Sequence, residues 1–167
     1  PMARLVLNEK VVGELKPFNE ETFISSWDIP YTPGELRVEG LSEDGKVLSS
    51  YSIHSSESPY AVRLTPDITQ IAKERGVSQI TVEIVDKNGV PVFIADNEVT
   101  CHIEGPVRLL GLESSNNEDM GNYKDEKQRV FHGRLIAYIQ AKGVAGKAVL
   151  KFTSPWLQSA ELVLDMY

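Results

Sequence analysis

The stretch WDIPYTPGELRVEGLSEDGKVLSSYSIHSSESPYAVRLTPD, Trp27 to Asp67, decides the fold. Within it Leu36, Val38 and Gly40 alternate with Glu35, Arg37 and Glu39, the period of two that half-buried strands show. Ser42-Glu43-Asp44-Gly45 follows as a turn, Asp-Gly being a hairpin signal. Val47–Ile53 reads as the returning strand. Trp27–Tyr31 reads as the end of a further strand, because Pro30 and Pro33 cannot donate to a central ladder. Ser55–Tyr60 is Ser-rich, carries Pro59 and has little apolar content, which marks a linker between two domains. The stretch is therefore the end of one β-domain running into the start of another.

Ahead of it lie two short strands, Arg4–Asn8 and Val11–Lys16, with Asn8-Glu9-Lys10 as the tight connection. Beyond it the alternation continues in Ala61–Leu64, Ser78–Val85, Val99–Glu104, Arg108–Gly111, Leu135–Ala141, Ala148–Thr153 and Ala160–Asp165. The expected inward sets are Ile80/Val82/Ile84, Leu135/Ala137/Ile139, Ala148/Leu150/Phe152 and Ala160/Leu162/Leu164. Asp67–Gly76 is the one plausible helical turn. Asp86-Lys87-Asn88-Gly89 reads as a turn and Gly143–Gly146 as a hairpin turn. Many short strands with frequent turn signals imply a sandwich, not a parallel α/β sheet. The fold class is all-β: two immunoglobulin-like antiparallel β-sandwich domains in tandem, residues 1–56 and 57–167. The second is expected to hold about seven strands. The first is expected to be truncated at about five, with an exposed sheet edge near Arg4–Asn8. Pro1-Met2 running straight into ARLVLN reads as the start of a fragment, and no signal-peptide pattern is visible.

The 167 residues are 41% hydrophobic and 25% charged, ordinary for a globular protein. A formal charge of −7 disfavours a nucleic-acid partner and an anionic membrane surface. No apolar run approaches the ~18 residues of a spanning helix. Cys101 is alone, so no internal disulfide forms, and VTCHIEG makes it a small buried apolar residue.

A search for chemistry finds little. His54, His102 and His132 are far apart and lack zinc-site spacing. Asn116, Asn117, Glu118 and Asp119 crowd oxygens into one loop, as Asp86 and Asn88 do in a turn. The EF-hand pattern is absent, and turns use such residues on their own backbone. There is no GxSxG elbow and no phosphate-binding loop. Glycoside hydrolysis needs two facing carboxylates. Those here, such as Glu35, Glu39 and Glu83, fall on outward strand faces and receive no catalytic role. No cofactor is implied. Trp27 and Tyr31 are expected in interior or inter-domain packing. Exposed aromatic rings for stacking on a sugar are sought at Tyr60, Tyr123 and Trp156. Tyr123 lies in the long polar loop Ser114–Gln128, a contact segment or a plain surface loop. The candidate contact residues are thus Tyr123, Trp156, Asn116 and Asn117.

Several segments, in order, resemble the C-terminal accessory β-domains of β-galactosidase-like enzymes of glycoside hydrolase family 2. LVLNEKVVGELK (Leu5–Lys16) is similar to that family's LFLNGKSLG strand pair. WDIPYTPGELRVEGLSEDGKV (Trp27–Val47) is similar to its WxVPYxPGxLxAxxxxxGK signature, the most specific match. Ile80–Asn116 and Arg129–Ser154 resemble the core runs of its terminal domain. Val107 departs from the usual second glycine after Gly-Pro, and Glu113-Ser114-Ser115 from an Asn-Gly turn. The resemblance implies a non-catalytic piece of a larger hydrolase whose two catalytic glutamates lie on an upstream (β/α)₈ barrel. It implies upstream catalytic and sandwich domains of the same polypeptide as partners, and a bacterial protein of the periplasm or cell exterior, the cytoplasm remaining open. A carbohydrate-binding module and an adhesion-type stalk are the alternatives, the former requiring Tyr123 or Trp156 to be exposed.

Overall fold

A computed structural model describes every residue from Pro1 to Tyr167. The chain divides into two compact units, Pro1–Ser55 and Ser56–Tyr167. Apart from one short parallel pairing, all strands pair antiparallel.

Unit 1 is a single sheet of β1 (Met2–Leu7), β2 (Lys10–Pro17), β3 (Glu35–Leu41) and β4 (Val47–His54), in the order β2-β1-β3-β4. Asn8 and Glu9 join β1 to β2 with φ of 48° and 65°, the left-handed pair a two-residue type I′ hairpin requires. Three expectations change here, the first being that the unit holds four strands and not about five. β1 is central, so the free edges are β2 and β4 and not Arg4–Asn8. Trp27–Tyr31 is not a strand. Pro30 supplies no donor, and the Trp27 indole instead donates to the Glu14 carbonyl at 2.8 Å. That ring occupies the space of a missing side chain, since a Cβ on Gly13 would lie 2.8 Å from it.

The two faces of this sheet differ. Directly opposed residues share a face, which sets Leu5, Val38 and Tyr51 in one row and Leu7, Leu36 and Ile53 in the next. The other face carries charge. Arg4 donates to Glu39 at 2.8 and 2.5 Å, Arg37 reaches Glu39, Glu35 and Glu9, and Ser52 donates to Glu35 at 2.6 Å. Glu39 is therefore covered and not outward, correcting its expected exposure. The Arg4 hydrogen bonds lead in holding its carboxyl below the usual range, with Arg37 adding and desolvation opposing. Glu35 is lowered first by Ser52 and then by Arg37.

A depressed folded pKa stabilises fully above the ordinary carboxylate range and is lost as pH falls through the folded value. The urea midpoint of unit 1 is therefore expected to fall between about pH 6 and about pH 3. Glu39→Gln is expected to flatten that fall. Asp44, lowered by the Ser42 hydroxyl, still titrates in the variant. Equal pH slopes for variant and parent would refute the assignment.

Unit 2 is a sandwich of two sheets. One is β5 (Ala61–Pro66), β7 (Val77–Val85), β11 (Arg134–Ala141) and β9 (Val107–Glu113), ordered β5-β7-β11-β9. The other is β6 (Gln70–Ile71), β8 (Glu98–Glu104), β10 (Lys127–Arg129), β12 (Gly146–Thr153) and β13 (Ala160–Met166), ordered β10-β8-β12-β13-β6. The expected inward sets on β7, β11 and β12 are all buried, and they meet Val99, Cys101 and Leu112 in one core. Of the expected set on β13 only Leu164 is fully enclosed, and Met166 on the same strand joins the core.

Nine strands replace the seven expected because β6 and β10 are too short to show a period. No helix forms over Asp67–Gly76. Asp67 accepts from the Gln79 amide at 2.9 Å, and Gln70–Ile71 pairs in parallel with Asp165–Met166. The segment offers one core residue, Ile71; a single turn closes within it, Gly76 N donating to Ala72 O at 2.7 Å, while Thr69, Ile71 and Lys73 bond to the end of the chain from Asp165 to Tyr167. Gly143–Gly146 is no hairpin either: β11 and β12 lie in different sheets, and the glycines carry the chain across.

Candidate functional site

The loop between β9 and β10 is built by its own side chains. Asn116 Oδ1 accepts from the Glu118 amide at 3.1 Å, Asp119 from Gly121 at 2.7 Å and Asn122 from Lys124 at 3.1 Å. These are successive Asx turns, and they use oxygens that a cation would need. Asn117 is exposed. No group of three or more His, Cys, Asp or Glu residues comes together to hold a metal ion. The loop walls an open polar cleft of about 420 Å³, where Asn116, Asp119, Asn122 and Asp125 face Glu98 and Arg129.

Tyr123 does not line that cleft but packs on β9. Its carbonyl accepts from the Leu112 amide at 2.7 Å, so the loop covers part of the free edge of β9. A Cβ on Gly111 would lie 2.9 Å from its ring, which accounts for the glycine there. About half the side chain remains open, and Lys124 Nζ lies 5.8 Å from the ring centre.

Trp156 is elsewhere, on the turn from β12 to β13. Leu157 N donates to Ser154 O at 3.2 Å, Pro155 is the second residue of the turn, and Trp156 is the third with φ 66°. That is type II geometry, whose third position normally holds Gly or Asn. Pro155 signals such a turn in the sequence; nothing signals a tryptophan at positive φ. The Trp156 ring is fully exposed. The structure thus keeps both aromatic candidates open to solvent but does not bring Tyr123, Asn116 and Trp156 into one site.

The other candidates have structural work. Tyr60 OH accepts from Gln158 Nε2 at 2.8 Å. Tyr31 is exposed and not packed inside, its hydroxyl 3.3 Å from Ser55 Oγ. His102 meets Thr153 Oγ1 at 3.0 Å, and the His132 ring lies tilted by 58° against Phe131 with centroids 4.1 Å apart. Cys101 is buried, and burial, with Glu126 adding, pushes its thiol up to about 12, so it carries no thiolate at neutral pH. Asp86 accepts from the amides of Glu57, Asn88 and Val90 at 2.8, 2.8 and 2.9 Å, and these hold its carboxyl low. Glu83 pairs with Arg63 at 2.8 Å. Sequence reasoning passed over Ile94 and Met120, each more than nine-tenths exposed. Neither stands in a pattern that periodicity can read.

These observations define an all-β protein whose second unit is an immunoglobulin-like sandwich. Residues 62–163 match Glycoside hydrolase family 2 C-terminal domain 5, and the chain belongs to that family. Residues 1–49 match a domain of unknown function, DUF4982. Over 141 residues the chain is 33% identical to Beta-galactosidase BoGH2A of Bacteroides ovatus, covering 84% of this chain and 16% of that protein. A crystal structure of a β-glycosidase from Bacteroides vulgatus matches with a TM-score of 0.92 at 30% identity, over 99% of this chain and 21% of that one. A glycosyl hydrolase family 2 member from Bacteroides cellulosilyticus shares the fold, with a TM-score of 0.88 at 20% identity, over 99% of this chain and 21% of that one. The chain therefore spans about a fifth or less of the length of these relatives.

Proposed function

We propose that residues 1–167 are a non-catalytic accessory region of a β-galactosidase-like hydrolase of O-glycosidic bonds. Their role is to pack against, space or assemble the upstream domains of the same bacterial polypeptide, in the periplasm or outside the cell. The observation that carries this reading is the 33% identity to a β-galactosidase of which the chain spans only 16%. The site chemistry supports it. Glu35, Glu39 and Glu83 are tied to arginines, and in the loop Asp119 and Asp125 accept hydrogen bonds from Gly121 N and Asn122 Nδ2. Retaining or inverting hydrolysis instead needs two carboxyl groups flanking a sugar-sized gap.

Glycan binding is the second reading, favoured by the exposed rings of Trp156 and Tyr123. The two readings share a test of catalysis. The purified 167-residue chain is expected to release no nitrophenol from nitrophenyl β-galactoside above a buffer blank. Turnover that co-purifies with the chain through successive columns, and is unchanged by a different expression host, would overturn the non-catalytic assignment.

A further inference from the structure

Trp156 is held in a conformation that the fold does not reward. A bulky residue at φ 66° is strained by its own Cβ, and full exposure means that no burial offsets the strain. The same turn leaves Ser154 Oγ buried without a hydrogen-bond partner. Yet the turn is firmly anchored. Gln158 N donates to Tyr60 O and Val62 N to Gln158 O, each at 2.9 Å, and the Gln158 side chain donates to Tyr60 OH. A strained, rigidly presented and solvent-covered tryptophan is pre-organised for a contact outside these residues.

The surroundings specify the contact. Gln158 bridges Ala61, Ala61 pairs with Val85, and Val85 bridges Pro91, so the turn stands at the same end of the sandwich as the segment after Pro91. There Ile94 is 93% exposed and Phe93 is partly exposed. A ring free on every side projects as a knob and offers no concave wall, whereas sugar sites converge polar groups beside the ring. Two polar groups that anchor the turn, Tyr60 and Gln158, already bond each other. A projecting aromatic at the same end of the sandwich as an exposed aliphatic residue has the form of a protein–protein anchor, which inserts into a desolvated pocket.

Resting on the accessory reading above, we propose that the Trp156 knob, with Ile94, docks into an apolar pocket on the part of the parent polypeptide outside residues 1–167. The length outside is ample, since the chain covers only 21% of the similar β-glycosidase.

Trp156→Gly separates the roles, because glycine relaxes the turn while deleting the knob. In the isolated chain the melting temperature is expected to stay level or rise by about 4 °C. In the full-length parent the transition reporting this region is expected to fall by at least as much. A rise in both contexts would overturn the docking site. So would a galacto-oligosaccharide that raises the melting temperature of the isolated chain but not of its variant, which would make Trp156 a sugar platform. If the full-length protein carries no hydrolase domain, the accessory reading and the docking site both fall. If it carries one and the variant is neutral or stabilising there, the docking site alone falls.

Discussion

Phe152→Ala is expected to destabilise unit 2 by about 3–5 kcal/mol, measured from its urea transition. Phe152 is fully buried on β12, the middle strand of its sheet, opposite Cys101 on β8 and Ala160 on β13. Its neighbours are strands of a packed sandwich, so both the lost transfer energy and the cavity count. A loss of this size is a large part of the ~5–15 kcal/mol that holds a typical domain. Val149, on the same strand and partly exposed, is the control. Val149→Ala is expected to cost less than about 1 kcal/mol. Equal losses at the two positions would mean that β12 does not face the core as described.

The second large effect is at a turn. His132 and Gly133 close the hairpin between Phe131 and Arg134 with φ of 50° and 76°. Gly133 also ties three segments together: its carbonyl accepts from Ile84 N at 2.8 Å, and its amide donates to Ala95 O at 3.0 Å. A Cβ there would lie 2.3 Å from the Val92 carbonyl oxygen, which is backbone and cannot swing aside. Gly133→Ala combines left-handed strain with this clash and is expected to cost about 2–4 kcal/mol. Gly89 has a similar φ of 78° but nothing within 4 Å of a built Cβ. Gly89→Ala is therefore expected to cost only about 1 kcal/mol, the conformational part alone. The difference between the two variants measures the clash, and a Gly133→Ala protein as stable as Gly89→Ala would rule it out.

The strands were legible because burial on one face writes a period of two. Ile80/Val82/Ile84 and Ala148/Leu150/Phe152 occupy the inward positions that their spacing implies. Where a segment is too short for a period, as in Gln70–Ile71 and Lys127–Arg129, only pairing with a neighbour makes it a strand. Trp27–Tyr31 misled for a related reason: Trp27 serves a side-chain contact with β2, not a ladder. Glu39 looked outward because its neighbours alternate, but Arg4 from the adjacent strand closes over it. Such cross-strand pairs cannot be read from one strand alone.

The candidate site was legible only as a set of residues. Tyr123 and Trp156 are open, as a contact role demands, but whether they share a surface depends on which strands border which, and the topology separates them. The left-handed backbone of Trp156 is likewise a property of the turn and not of the residue, since a tryptophan there runs against turn preference.

Whether this chain is one part of a larger hydrolase is tested most directly by the source DNA. The coding region upstream of Pro1 is expected to be several times longer than the 167 codons described, to carry the strand–helix repeat of a (β/α)₈ barrel, and to place two glutamates at the ends of its strands. A signal peptide immediately upstream, or a string of similar sandwiches with no barrel, would contradict it.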